Sequence, residues 1–318
     1  MLLQMKKTYL LVAIICLGIS SYAQSNVYVA GYSYMQEKKR ATLWKNGVAQ
    51  YISSVNDDAE ALSVFVAGGK VYVAGYDGKI ATLWKNGIVQ NLTDGNYSAR
   101  ANSVFVTEDD VYVAGYETNA QGKTVAKLWK NGVGQNLSNG YFNAKSTSVC
   151  VSKNDVYVAG NDENAAKLWK NGLAQTLSNE GNAYSVFVSN NDVYIAGNIE
   201  IEGYPIAVLW RNGAMQENIS TVGYASSVFV SGNDVYVAVV NVMGYFVSLY
   251  KNDLEQSFTE EGETLAESIF VSENDVYVAG NESNEEGVTI AKLWKNGKVY
   301  NLTNDYQGGR ATSVFVTK

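Results

Sequence analysis

Short runs of alternating apolar and polar residues, rich in Val, Tyr, Phe and Trp and bounded by Asn, Asp and Gly, fill the chain from about residue 26 onward. A two-residue alternation of this kind predicts β-strands and not helices. The runs recur as one phrase repeated seven times: S-V-F-V, a short Asn/Asp turn, V-Y-V-A-G, then L-W-K-N-G leading into a Gln-containing run. The marker aromatics Trp44, Trp84, Trp129, Trp169, Trp210, Tyr250 and Trp294 lie 40, 45, 40, 41, 40 and 44 residues apart. A period near 42 marks a repeat built from multi-strand units. Each unit gives four runs, for example Ser103 to Val106, Val111 to Gly115, Ala126 to Lys130 and Val133 to Leu137.

Asn-Gly pairs join the third and fourth runs at 46–47, 86–87, 131–132, 171–172, 212–213 and 296–297. Both residues tolerate the positive φ of a type I′ turn, so these runs pair as antiparallel hairpins. Asp110, Asp155, Asp192, Asp234 and Asp275 close the turns between the first and second runs, where Asp is expected to cap its own turn rather than bind metal.

Four-stranded units with apolar residues on both faces of their inner strands suit a β-propeller, in which each blade packs between two others. The expected fold is all-β, seven blades of four antiparallel strands. The phase of the ends supports it. The chain enters on V-Y-V-A-G (Val27 to Gly31), a second strand, and finishes on S-V-F-V (Ser313 to Val316), a first strand. Pairing these two closes the ring and removes an exposed sheet edge.

The residues V-Y-V-A-G, L-W-K-N-G and S-V-F-V resemble seven-bladed propellers of the WD-repeat and YVTN-repeat kind, over residues 26 to 318. They look most like secreted propeller proteins of unassigned function from Bacteroidota-type bacteria. True WD repeats carry Gly-His and Trp-Asp signatures that are missing here, so the resemblance implies a shape and not a partner.

Composition narrows the chemistry. Lys6 and Lys7, the apolar stretch from Tyr9 to Ile19 and the small residues Ser21 and Ala23 read as an export signal cut after Ala23. A secreted or periplasmic product is expected, with residues 1–23 as leader and 24–318 as one propeller domain. The apolar stretch is too short to span a bilayer. Cys16 sits where a lipoprotein signal would place its Cys, but Ile15 occupies a position that wants a small residue. Cys150 takes the Phe slot of one S-V-F-V copy and reads as a buried thiol.

With 24 basic against 31 acidic residues, a formal net charge of −7 and no basic stripe, nucleic acid is not an expected partner. The absence of histidine excludes Ser-His-Asp triads, imidazole bases and the usual zinc sites. No catalytic residue, metal or cofactor is expected, and the protein is expected to be a non-enzymatic monomer.

Candidate binding residues come from two patterns. One column leads into the first run of each unit and changes while its surroundings repeat: Glu60, Arg100, Lys145, Asn182, Tyr224, Leu265 and Arg310. It should ring the mouth of the central channel. The second is an aromatic group, Tyr184, Tyr204, Tyr224, Tyr245 and Phe246, in two adjacent units. One of these is the most divergent, with Val239 and Val240 ending its second run, Tyr250 for Trp and Asp253 for Gly. Both patterns are expected on one face, where the long, irregular connections emerge. The Trp series, recurring in register, reads as packing between blades.

The functional expectation is a secreted, non-catalytic binding module whose variable face engages a glycan or extended peptide. The alternative is a scaffold in an envelope or surface complex, and a third is a carboxylate-dependent hydrolase or lyase.

Overall fold

The computed structural model describes residues 25–216, 219, 221–259 and 263–318. The export-signal reading and Cys16 lie outside them. The described residues form seven four-stranded antiparallel sheets and no helix. We number the blades one (59–91), two (99–136), three (144–178), four (181–216), five (223–257), six (264–301) and seven (309–316 with 27–51). In each, the strands run from innermost to outermost in chain order, except that blade seven takes its innermost strand from Gly309–Val316. That strand pairs with Val27–Met35, setting Phe315 opposite Tyr28 and Val314 opposite Val29. The ring therefore closes as the phase of the two ends predicts.

The outer hairpin of every blade turns on two residues with positive φ, from Asn46 (51°) and Gly47 (80°) to Asn252 (48°) and Asp253 (68°) in blade five. Each turn Asn also reaches sideways. Its Oδ1 accepts the backbone N–H that opens the second strand of the same blade, at 2.8–2.9 Å in all seven blades. The nearby Asp residues do not cap their own turns. Asp110, Asp155, Asp192, Asp234 and Asp275 accept from the side-chain amide of that same Asn at 2.6–2.7 Å and pair with Lys130, Lys170, Arg211, Lys251 and Lys295. The Lys or Arg bond and the Asn amide together hold these carboxyls below the usual range. The two short turns of a blade are thus stitched to each other.

Blades hold together through wedges and a ring of hydrogen bonds. Trp84 of blade one is fully buried against Tyr28, Ala30 and Leu43 of blade seven. Trp44 of blade seven lies in the same way against Tyr277, Ala279 and Leu293 of blade six. Nearer the axis, the Ser of each S-V-F-V copy accepts the N–H of the following blade's Val or Ile. The seven links, Ser63 to Val104, Ser103 to Val149, Ser148 to Val186, Ser185 to Val228, Ser227 to Ile269, Ser268 to Val314 and Ser313 to Val64, span 3.1–3.3 Å. They run unbroken through the closing blade.

Two residues further along the innermost strands, phenylalanines touch around the axis. Phe65, Phe105, Phe315, Phe270, Phe229 and Phe187 form a chain of tilted ring contacts with centroids 4.7–4.9 Å apart. Cys150 takes the seventh place, buried beside Phe105. Burial pushes its thiol up to about 11. Thiolate is the reactive form, so labelling of native protein at pH 8 should run on the order of 100-fold slower than in denaturant. Equal rates in the two conditions would show that Cys150 is not packed as described.

Blade five departs from the others in a compensated way. In blades one and four, a Cβ on Gly75 or Gly197 would come within 3.0 and 2.8 Å of the ring edge of Trp84 and Trp210. Blade five replaces both partners, setting Val239 where the glycine stands and Tyr250 where the Trp stands, and the two share one buried cluster with Ile219. The smaller ring makes room for the larger side chain. The divergence is a repacking of the core rather than an opening of it.

The long-loop face is less extended than the sequence suggests. Connections from second to third strand are mostly two-residue turns, as at Gln36–Glu37 and Gly78–Lys79, and strands such as Asp192–Ile201 run on into positions expected to be loop. The longer segments join each blade to the next, for example 92–98 and 302–308.

Candidate functional site at the channel mouth

At the long-loop end of the axis the innermost strands enclose a cavity of about 500 Å³. Its wall comes from Glu60, Leu62, Arg100, Asn102, Thr147, Tyr184, Tyr224, Ser226, Glu267, Arg310 and Thr312.

The backbone makes this mouth by a repeated irregularity. In every innermost strand the register slips between the small residue and the Ser, as between Ala61 and Ser63, leaving Leu62, Asn102, Thr147, Tyr184, Ser226, Glu267 or Thr312 as the extra residue of a β-bulge. A bulge bends the strand and re-aims its side chains. It also accounts for the Gly of V-Y-V-A-G in six blades, whereas blade five keeps the bulge with Val239 in that place. A Cβ on Gly31, Gly75, Gly115, Gly160, Gly197 or Gly280 would stand 1.9–2.1 Å from the carbonyl oxygen of the rim residue opposite, which is Arg310, Glu60, Arg100, Lys145, Asn182 or Leu265. The bulge is fastened across blades as well. Thr312 donates to Ala30 and Ala61 carbonyls at 3.0 and 2.7 Å, and Thr147 to Ala159 and Ala183 at 3.1 and 2.8 Å.

Five of the residues singled out by sequence line the cavity: Glu60, Arg100, Arg310, Tyr184 and Tyr224. Lys145 is exposed at the edge, its ammonium 5.2 Å from the Tyr116 ring centre. Asn182 lines a separate depression with Asn161, Glu163 and Glu200. The aromatic group divides. Tyr184 and Tyr224 lie within innermost strands, not in connections, with ring centres 5.7 Å apart. Tyr204 and Tyr245 are exposed at hairpin tips, and Phe246 is half-buried in the third strand of blade five.

Of the bulge column only Tyr184 was singled out, and Glu267 above all was missed. Strand alternation was the available signal, since residues two apart share a face. A second omission is the exposed aromatics of the inter-blade loops. Tyr141 and Tyr306 are held by backbone N–H bonds to Asn139 and Asn304 at 3.0 and 3.1 Å.

Charge around the mouth is ordered. Glu267, Arg310, Glu60 and Arg100 come from four consecutive blades and alternate in sign. Glu60 is nearly buried and takes Lys39 at 2.5 Å, with Arg100 further off at 3.8 Å. Arg310 pairs with Glu267. Burial works against the Arg310 charge, but Glu267, together with Tyr32 and Glu60, outweighs it and holds the pKa above the ordinary value. Tyr76, under the Arg100 guanidinium at 4.1 Å, is raised by burial and then by the Glu60 charge. Beside this charged arc, on blades four and five, stands a neutral one of Tyr184, Tyr224 and Ser226. Tyr184 donates to Asn198 Oδ1 at 2.9 Å, and burial pushes its hydroxyl up to about 12. Among the described residues no group of His, Cys, Asp and Glu is placed to hold a metal, and no helix is long and apolar enough to cross a membrane.

No family model matches the chain, and no curated protein matches it. Solved structures do. A puromycin-hydrolyzing peptidase of Mycobacterium tuberculosis aligns over 86% of this chain and 53% of its own, with a TM-score of 0.57 at 9% identity. The acylaminoacyl peptidase of Pyrococcus horikoshii covers 88% and 50%, with a TM-score of 0.53 at 12% identity. The β-propeller domain of the Trilobed protease from Pyrococcus furiosus, which has an open velcro topology, covers 86% and 93%, with a TM-score of 0.50 at 11% identity. The chain thus spans about half the length of the two peptidases. At such identities the likeness shows the fold, a propeller, and the activities belong to those proteins.

The expectation of a free-standing module engaging a glycan or extended peptide through aromatic stacking, or of an envelope scaffold, is corrected by these findings. Several of the matching solved structures are peptidases or their propeller domains, and another is a dihydro-heme d1 dehydrogenase. The aromatic residues meant to form one stacking surface are also split between the channel mouth and separate hairpin tips.

Proposed function

We propose that this chain is a hydrolase-related propeller, the substrate-facing partner of a peptidase-type catalytic unit carried elsewhere. The observation that carries this reading is the ordered charged and aromatic cavity at the axis of a fold shared with several peptidases. The propeller brings no histidine, so a Ser-His-Asp constellation would have to come from the other unit. In this reading the mouth faces that unit and meets what enters or leaves it. The leader-like first 23 residues support placing the pair outside the cytoplasm.

The test is affinity capture of the tagged chain from cells that express it, followed by assay of the washed material on fluorogenic aminoacyl and acylaminoacyl amides. Captured hydrolysis well above that held by a propeller of unrelated sequence is the expected result. Background hydrolysis, with the chain folded and recovered, would overturn the reading.

A further inference from the structure

We infer that the channel mouth is a binding site for small zwitterions, free amino acids and dipeptides bearing an apolar or aromatic side chain. The site rests on the geometry of the mouth. The choice of peptide-derived zwitterions over others rests on the hydrolase reading above.

Four features carry the inference. The cavity, about 500 Å³, lies within the range of small-molecule sites and suits one or two residues rather than a long chain. Its charged arc offers both signs within one enclosure. Glu60 and Glu267 stand in the wall beside Arg100 and Arg310, so an ammonium and a carboxylate on one small molecule each find an opposite charge.

Arg310 and Glu267 are paired with each other, but the other two charges are matched less closely. Glu60 is taken first by Lys39 at 2.5 Å, which leaves Arg100 at 3.8 Å from it. A guanidinium carries five N–H donors, and one carboxylate at that range does not use them up. Arg310 Nε, in the cavity wall, is buried without a hydrogen-bond partner. Buried polar groups without partners are uncommon, and a ligand carboxylate would supply the acceptor this N–H lacks.

The fourth feature is the neutral arc. Tyr184 and Tyr224, in contact at 5.7 Å and tilted by 58°, present aromatic surface in the same wall, with Tyr224 next to the blade of Glu267. An apolar side chain laid over them would leave water while its backbone ends stay paired. A carboxylate on Arg100, an ammonium on Glu267 and a side chain on the tyrosines would use both signs of charge and the aromatic surface of the wall. A singly charged ligand leaves one arc unused.

Calorimetric titration of the purified chain with Gly-Phe, N-acetyl-Gly-Phe and Gly-Phe amide tests this directly. Gly-Phe should bind at sub-millimolar to millimolar concentration, and blocking either end should weaken it by about 10-fold or more, as expected for loss of a charge-assisted bond. Arg100→Gln should weaken Gly-Phe by a similar factor yet leave the amide unchanged, and Glu267→Gln should do the reverse with the acetylated form. No heat from Gly-Phe up to about 10 mM, or equal binding of all three ligands, would overturn the inference. Should either variant fail to fold, the ligand series on the unaltered chain still decides. Dipeptide binding without captured hydrolysis would sink the hydrolase reading alone, and captured hydrolysis without dipeptide binding would sink the zwitterion site alone.

Discussion

Deleting residues 309–318 is expected to abolish cooperative unfolding altogether. The deletion removes the innermost strand of blade seven, and with it the buried side chains of Ala311, Val314 and Val316. Each fully buried valine contributes roughly 1.5–3 kcal/mol. The larger loss is indirect. Val29 and Trp44 share their cluster with Val314 and Val316, and Phe65 and Phe270 lose the Phe315 ring between them. Two of the seven Ser-to-amide links, Ser313 to Val64 and Ser268 to Val314, go as well. Together these approach the whole stability of an ordinary domain, about 5–15 kcal/mol. Far-ultraviolet circular dichroism during heating should show a broad, early loss of strand signal. A sharp transition within a few degrees of the full chain would mean that closure contributes little.

The second large effect concerns the repacked blade. Val239→Gly empties a fully buried position beside Tyr250 and should cost about 2–4 kcal/mol. Tyr250→Trp alone inserts extra volume against Val239 and should cost about 1–3 kcal/mol. The double variant rebuilds the Gly and Trp pairing of the other blades. Urea midpoints should therefore show it more stable than the sum of the single losses by at least about 1 kcal/mol. Additivity within about 0.5 kcal/mol would show that the two side chains do not share the space.

Much of the architecture could be read before any coordinates, because its determinants are local. Asn46-Gly47 and its counterparts declare a turn through backbone preference alone, and a repeat with displaced ends implies closure. Glu60, Arg100, Tyr224 and Arg310 were legible for a related reason: a varying column inside an otherwise fixed repeat marks positions freed from packing.

What escaped depends on residues distant in the chain. The partners of Asp110 are Lys130 and Asn131, some 20 residues on, so its own turn gave no hint of them. Lys145 and Asn182 belong to the same column as Arg100, yet side-chain direction at the rim takes them out of the cavity. The exchange of Gly and Trp for Val239 and Tyr250 could be seen as divergence, but not as one event, until strand pairing brought positions 239 and 250 into one cluster. The aromatic group was misjudged because Tyr204 and Tyr184, close in sequence, emerge at different radii from the axis.

The unbroken circle of Ser-to-amide bonds works like a hoop on a barrel. To widen the lumen, at least one link must stretch beyond bonding range, and strain on one link passes to its neighbours because each Ser-bearing strand also offers an amide to the blade before it. The diameter at the mouth is therefore a collective property, and a guest settling there would stiffen all seven staves together rather than the one it touches.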